Sequence, residues 1–104
     1  MKQSIMVFKY NSINDFKDKI DSKDLEMSDE IFKQIKKAFN AKTKRKTITA
    51  FSVEIQNTVI DFTLNRDQWI KSLETCLSVF IEQEWYEKCA EIKKMMEVLE
   101  SEIQ

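Results

Sequence analysis

None of the 104 residues is a glycine or a proline, and that absence narrows what the chain can become more than anything it contains. A Walker phosphate loop, a dinucleotide-binding turn and a nucleophile elbow each need backbone freedom that glycine alone supplies. Those enzyme classes are excluded. Histidine is missing as well, which removes the usual serine triad and the commonest zinc sites. The two cysteines, Cys76 and Cys89, cannot by themselves furnish a four-thiolate metal site. Acidic pairs such as Glu84 with Glu87 and Asp15 with Asp18 are present, but helical surfaces produce such pairs by chance, and none singles out a general acid or base. The expectation is a protein that is not an enzyme, with no catalytic residue, cofactor or metal.

The length suits a single domain, residues 1–104, in which folding removes roughly two-thirds of the unfolded chain's surface from water. A third of the residues are charged (34%), yet the net charge is only -1. The near-neutral sum hides a segregation. Lys33, Lys36, Lys37, Lys42, Lys44, Arg45 and Lys46 follow one another without an intervening carboxylate, whereas Glu82, Glu84, Glu87, Glu91, Glu97, Glu100 and Glu102 dominate the C-terminal end. No stretch approaches the roughly 20 apolar residues of a membrane span, and the N-terminus lacks a secretory signal's apolar core and cleavage site. An intracellular, cytoplasmic setting without a membrane partner is expected.

"SIMVFKY" at the start suits a short strand. Ser12 with Asp15 forms a capping box for a short helix carrying Ile13, Phe16 and Ile20. Ser28, followed by Asp29 and Glu30, reads as the cap of a second helix with a stripe of Ile31, Ile35, Ala38 and Phe39. "KTITAFSVEI" and "TVIDFTL" read as strands joined at Gln56 and Asn57, asparagine being tolerant of positive φ. Phe51, Val53 and Ile55 share one face of the first; Ile60, Phe62 and Leu64 share one face of the second. Asn65 and Gln68 make another capping box, opening a helix with Trp69, Leu73, Cys76, Leu77 and Phe80 at helical spacing.

That last stripe does not continue to the C-terminus. Alternating steps of three and four beyond Phe80 land on Gln83, Glu87, Ala90 and Lys94, mostly polar, while a new stripe of Trp85, Cys89, Ile92, Met96 and Leu99 begins after Glu82. The phase slip predicts a helical hairpin over 67–104 turning near Glu82 to Glu84, with a coiled-coil-like seam. The fold class expected is α+β, in the order β-α-α-β-β-α-α: a small antiparallel sheet of about three strands, helices on one face, and the hairpin following a sheet-and-helix unit over 1–66.

"QEWYEKCAEIKKMMEVLE" resembles the UVR motif, a short helical hairpin of the B and C subunits of bacterial nucleotide excision nuclease and of some Clp-protease-associated proteins. The motif places fall to Tyr86, Glu87, Cys89 with Ala90, Ile92, Lys93, Met96 and Leu99. Trp85 and Lys94 stand where the family usually has acidic residues. The resemblance covers about a fifth of the chain and implies a protein-docking hairpin, without nuclease or ATPase activity.

Two interaction surfaces follow. The first is the hairpin, with Trp85, Tyr86, Glu87, Glu91 and Met95 as contacts to a protein partner or to a second copy in a homodimer; its acidic face would set partner choice. Trp85 and Tyr86 more simply plug the open end of the hairpin, and Met95 and Met96 more simply pack in an ordinary core. The second is the basic segment, where Lys42, Lys44, Arg45 and Lys46 would contact nucleic acid; the same cations also suit a solvated helix end. Cys76 and Cys89, nearly equidistant from the turn, read as buried small hydrophobes or as a regulatory pair. The short Lys-, Ile- and Asn-rich chain is compatible with a phage or mobile-element accessory protein acting as an inhibitor or adaptor.

Overall fold

The computed structural model describes residues 5–41 and 47–103. In chain order these form β1 (Val7–Tyr10), α1 (Ile13–Asp21), α2 (Leu25–Asn40), β2 (Thr47–Ile55), β3 (Thr58–Asn65), a 3-10 turn (Arg66–Gln68), α3 (Trp69–Glu82) and α4 (Tyr86–Ile103). The α+β class and the predicted element order stand. The sheet order is β1-β2-β3, with β2 and β3 antiparallel but β1 parallel to β2. The sheet is therefore mixed and not antiparallel throughout. A two-residue loop forces antiparallel pairing of β2 with β3, whereas the α1–α2 crossover between β1 and β2 is long enough to bring the chain back in the same direction.

Positive-φ backbone is still needed, and without glycine other residues supply it. Among the described residues, Lys23 (φ 54), Gln56 (φ 48), Asn57 (φ 67) and Glu84 (φ 60) occupy this region. The pair at 56 and 57 matches the demand of a tight hairpin turn for two successive positive-φ residues. Lys23 closes α1: its own N–H reaches the Ile20 carbonyl at 3.0 Å and the Asp24 N–H reaches Lys19 at 3.3 Å, the double bond of a Schellman ending. Asp24 then starts α2, accepting the Met27 N–H at 3.1 Å. Ser28 is accordingly not the cap of α2 but a buried residue of its first turns. Of the other two caps, Ser12 Oγ accepts the Asp15 N–H at 3.2 Å, one half of the expected capping box, whereas Asn65 forms the full box, Gln68 Oε1 accepting its N–H at 2.9 Å.

Alternation places Phe8, Tyr10, Phe51, Val53 and Phe62 on one face of the sheet. Phe51 is the centre of this layer, stacked on Phe62 at 4.7 Å and meeting Phe8 edge-on at 5.2 Å. An irregularity between Thr49 and Phe51 buries Ala50 beside it. Helix α2 lies between layers, packing against β2 on one side and α3 on the other, and α4 packs on α3. Phe32 and Ile35 on α2, Trp69, Leu73, Cys76 and Phe80 on α3, and Ile92 on α4 are buried in one continuous core. The hairpin thus rests on α2, with its turn projecting at one end.

Candidate interaction surface at the hairpin tip

The turn is built by a second Schellman ending. The Trp85 N–H reaches the Phe80 carbonyl at 2.9 Å and the Glu84 N–H reaches Ile81 at 3.0 Å, with Glu84 in the left-handed region. The hydrophobic contact that accompanies this motif is between Phe80 and Trp85, whose rings lie 5.3 Å apart. The predicted turn near 82–84 is therefore found, with its reversal held by residues on both sides.

Four of the five proposed docking residues are visible from outside the core. Tyr86 is the most prominent, 63% exposed at the first position of α4. Glu84 and Glu87 are exposed beside it. Trp85 is half-buried and packs against the core as the base under the tip, the plugging role weighed for it. Glu91 is half-exposed but engaged, its carboxylate 2.7 Å from the Lys36 ammonium of α2. Met95 is 4% exposed and belongs to the core. It cannot meet a partner in this fold, because α4 turns Met95 inward between Ile92 and Leu99 and leaves Met96 half-buried. A shallow depression of about 500 Å³ runs over Glu84, Trp85, Tyr86, Glu87 and Lys88.

Lys88 was not legible as part of this surface. Its Nζ sits 4.4 Å from the centroid of the Trp85 ring and under 6 Å from those of Phe80 and Phe32, a cation over aromatic faces. It also donates to Asp29 Oδ1 of α2 at 2.7 Å, while Lys33 approaches the other oxygen at 3.2 Å. Burial alone would raise the Asp29 pKa; the hydrogen bonds and charges of Lys88 and Lys33 outweigh it and hold the carboxyl below its ordinary value. The spacing of Lys88 three residues beyond Trp85 was a local signal for the stacking. The Asp29 contact, from a different helix, had none.

The basic segment fares differently. Lys42, Lys44, Arg45 and Lys46 lie outside the described residues. Of the cations leading to them, Lys33 is paired with Asp29 and Glu30, and Lys36 with Glu91. These pairs neutralise much of the charge that the linear sequence displays on α2.

At the opposite end of the hairpin a cleft of about 600 Å³ is lined by residues of β2, β3, the 3-10 turn, α3 and α4, among them Thr47, Asn65, Arg66, Asp67, Leu99 and Glu102. Arg66 donates to both carboxylate oxygens of Glu102 at 3.0 Å and lies 4.8 Å from the Trp69 ring centroid. Its charge is already matched, so it fastens the C-terminal end of α4 to the base of β3 and leaves no open anion site. Both cysteines are free and buried; the Cys76 thiol donates to the Ser28 carbonyl at 3.2 Å. Burial pushes its pKa up to about 12. Among the described residues no group of three His, Cys, Asp or Glu is placed to hold a metal, and no helix is long and apolar enough to cross a membrane.

No family model, curated protein or solved structure matches the chain.

Proposed function

We propose that the chain is a non-catalytic protein-binding module, an adaptor or inhibitor acting inside the cell, that docks through the tip of its C-terminal hairpin. The observation that carries this reading is Tyr86, a large aromatic left 63% exposed on a site that is otherwise rigidly built. The Schellman turn fixes its backbone, and Trp85, Lys88 and Asp29 fix the surface beneath it. An exposed aromatic on a preordered base is the usual form of an interface anchor, since little side-chain freedom is lost on binding. Glu84 and Glu87 flank it and favour a partner whose matching surface is basic around an apolar pocket. The resemblance of 83–100 to a UVR hairpin, which implies a protein-docking hairpin, points to the same element.

The test is Tyr86→Ala alone. Trp85 packs on Phe80, so removing it would damage the fold as well as the surface. Tyr86→Ala should leave the circular dichroism and thermal melt unchanged and weaken partner binding by about 2 kcal/mol, roughly 30-fold. Unaltered affinity would remove the tip as the docking surface.

A further inference from the structure

Among the described residues β3 pairs with β2 alone, and its other edge has the makings of an interface with a second copy of itself. Successive residues of an antiparallel pair alternate between hydrogen-bonded and non-bonded positions. The two-residue loop at Gln56 and Asn57 makes Ile55 and Thr58 a bonded pair. Counting from there, the N–H and C=O groups of Val59, Asp61 and Thr63 point away from β2, toward the open edge. Of the devices that ordinarily blunt such an edge, β3 has a single charge, Asp61, whose carboxylate is taken up by the Ser52 hydroxyl of β2 at 2.7 Å. Strand β3 has eight residues without Lys, Arg or Pro, and the irregularity in the ladder displaces β2, not β3. Val59 is 58% and Ile60 50% exposed, although Ile60 lies on the face that the helices cover elsewhere. The helical layer stops short of the edge and leaves an apolar shelf beside Ile60 and the half-buried Phe62.

The residues on this edge fit an antiparallel copy of themselves in one register. With Phe62 opposite Phe62 of the second copy, Ile60 meets Leu64, Asp61 meets Thr63 and Val59 meets Asn65. Every apolar position of the helix-side face then faces another apolar position. No like charges are opposed, since Asp61, the strand's only charged residue, falls opposite a threonine. The Asp61 and Thr63 backbones, which point to the edge in both copies, exchange about four hydrogen bonds. A shift by two residues toward the turn would instead set Asp61 against Asp61, which like-charge repulsion disfavours. Phe62 of each copy is already held flat against Phe51 at 4.7 Å, so the central pair is preordered.

We infer that the protein forms a two-fold dimer by antiparallel pairing of β3 with β3 of a second copy, joining two three-stranded sheets into one of six and leaving both hairpin tips free. The dimer is independent of the docking surface at Tyr86, so the two readings fail separately.

The experiment is sedimentation equilibrium of the full chain over a concentration series, for the wild type, Thr63→Pro, Ile60→Lys and Tyr86→Ala. Proline at 63 removes an edge-facing N–H and spares the bonds to β2, because the Thr63 N–H does not point there. The inference predicts a wild-type and a Tyr86→Ala dimer, and monomeric Thr63→Pro and Ile60→Lys with native circular dichroism. Ile60→Lys decides the matter if Thr63→Pro fails to fold. A monomeric wild type at about 100 μM, where even a weak interface of this kind associates, overturns it. So does a dimer that survives the edge substitutions, or one that Tyr86→Ala dissociates.

Discussion

Replacing Asp29 with asparagine tests whether the hairpin tip is held rigid by α2. The Asp29 carboxylate accepts from Lys88 at 2.7 Å and neighbours Lys33 at 3.2 Å, with side-chain exposures of 19% for Asp29 and 33% for Lys88. Fully exposed pairs contribute about 0.2–1 kcal/mol, and desolvated charged hydrogen bonds about 1.5–3 kcal/mol. Partial burial places this pair between those limits, so Asp29→Asn should cost about 1–2 kcal/mol. In a domain of this size that lowers the melting midpoint by roughly 5–10 °C. Lys88 would also lose the anchor that keeps it over Trp85, and Trp85 fluorescence should report the loosening. The pH dependence gives a second reading. Because the folded-state pKa is depressed, the contribution is complete above the ordinary carboxylate value of 3.8 and is lost as pH falls through the lower folded value. Asp29→Asn should remove that part of the acid sensitivity. A double-mutant cycle with Lys88→Met, followed by urea titration, should return a coupling of about 1 kcal/mol. A coupling of zero, or an unchanged midpoint, would show that α2 does not secure the tip and that its preorganisation has another origin.

Glu84 holds a left-handed conformation that costs a residue with a Cβ about 1 kcal/mol, so Glu84→Gly should stabilise the protein by about 0.5 kcal/mol after the greater freedom of glycine in the unfolded chain is counted; a lower melting midpoint would refute the turn geometry. Cys76, buried with a pKa raised to about 12, should resist thiol-reactive reagents near neutral pH at a rate limited by unfolding, and rapid labelling of the folded protein would contradict its placement.

The local features of the fold were legible because they are encoded within a few residues. The caps at Ser12 and Asn65, the loop at Gln56 and Asn57, and the break between the two C-terminal stripes each declare themselves in a window of about one turn. What escaped depends on what lies elsewhere in space. Period-two alternation gives the faces of β1 but not its direction; the long crossover to β2 permits parallel pairing, and no local pattern encodes it. Ser28 has the chemistry of a cap, but Lys23 in the left-handed region stops α1 early enough for Asp24 to start α2 first. Met95 and Met96 are adjacent, and seam spacing assigned Met96 to the interior; Met95 is the buried one and Met96 packs only partly against the core. At the tip, Tyr86 was read from its position at the turn. Its support came from Asp29, 59 residues from Lys88 in the chain, and no periodicity connects them.

The most direct measurement is affinity capture from a lysate of the source cells or their host, with the wild type and Tyr86→Ala side by side, each with and without nuclease, read by quantitative mass spectrometry. The account predicts a defined protein that the wild type retains under nuclease treatment and that Tyr86→Ala loses. Capture that is equal for both proteins, or that disappears with nuclease, would contradict docking through the hairpin tip.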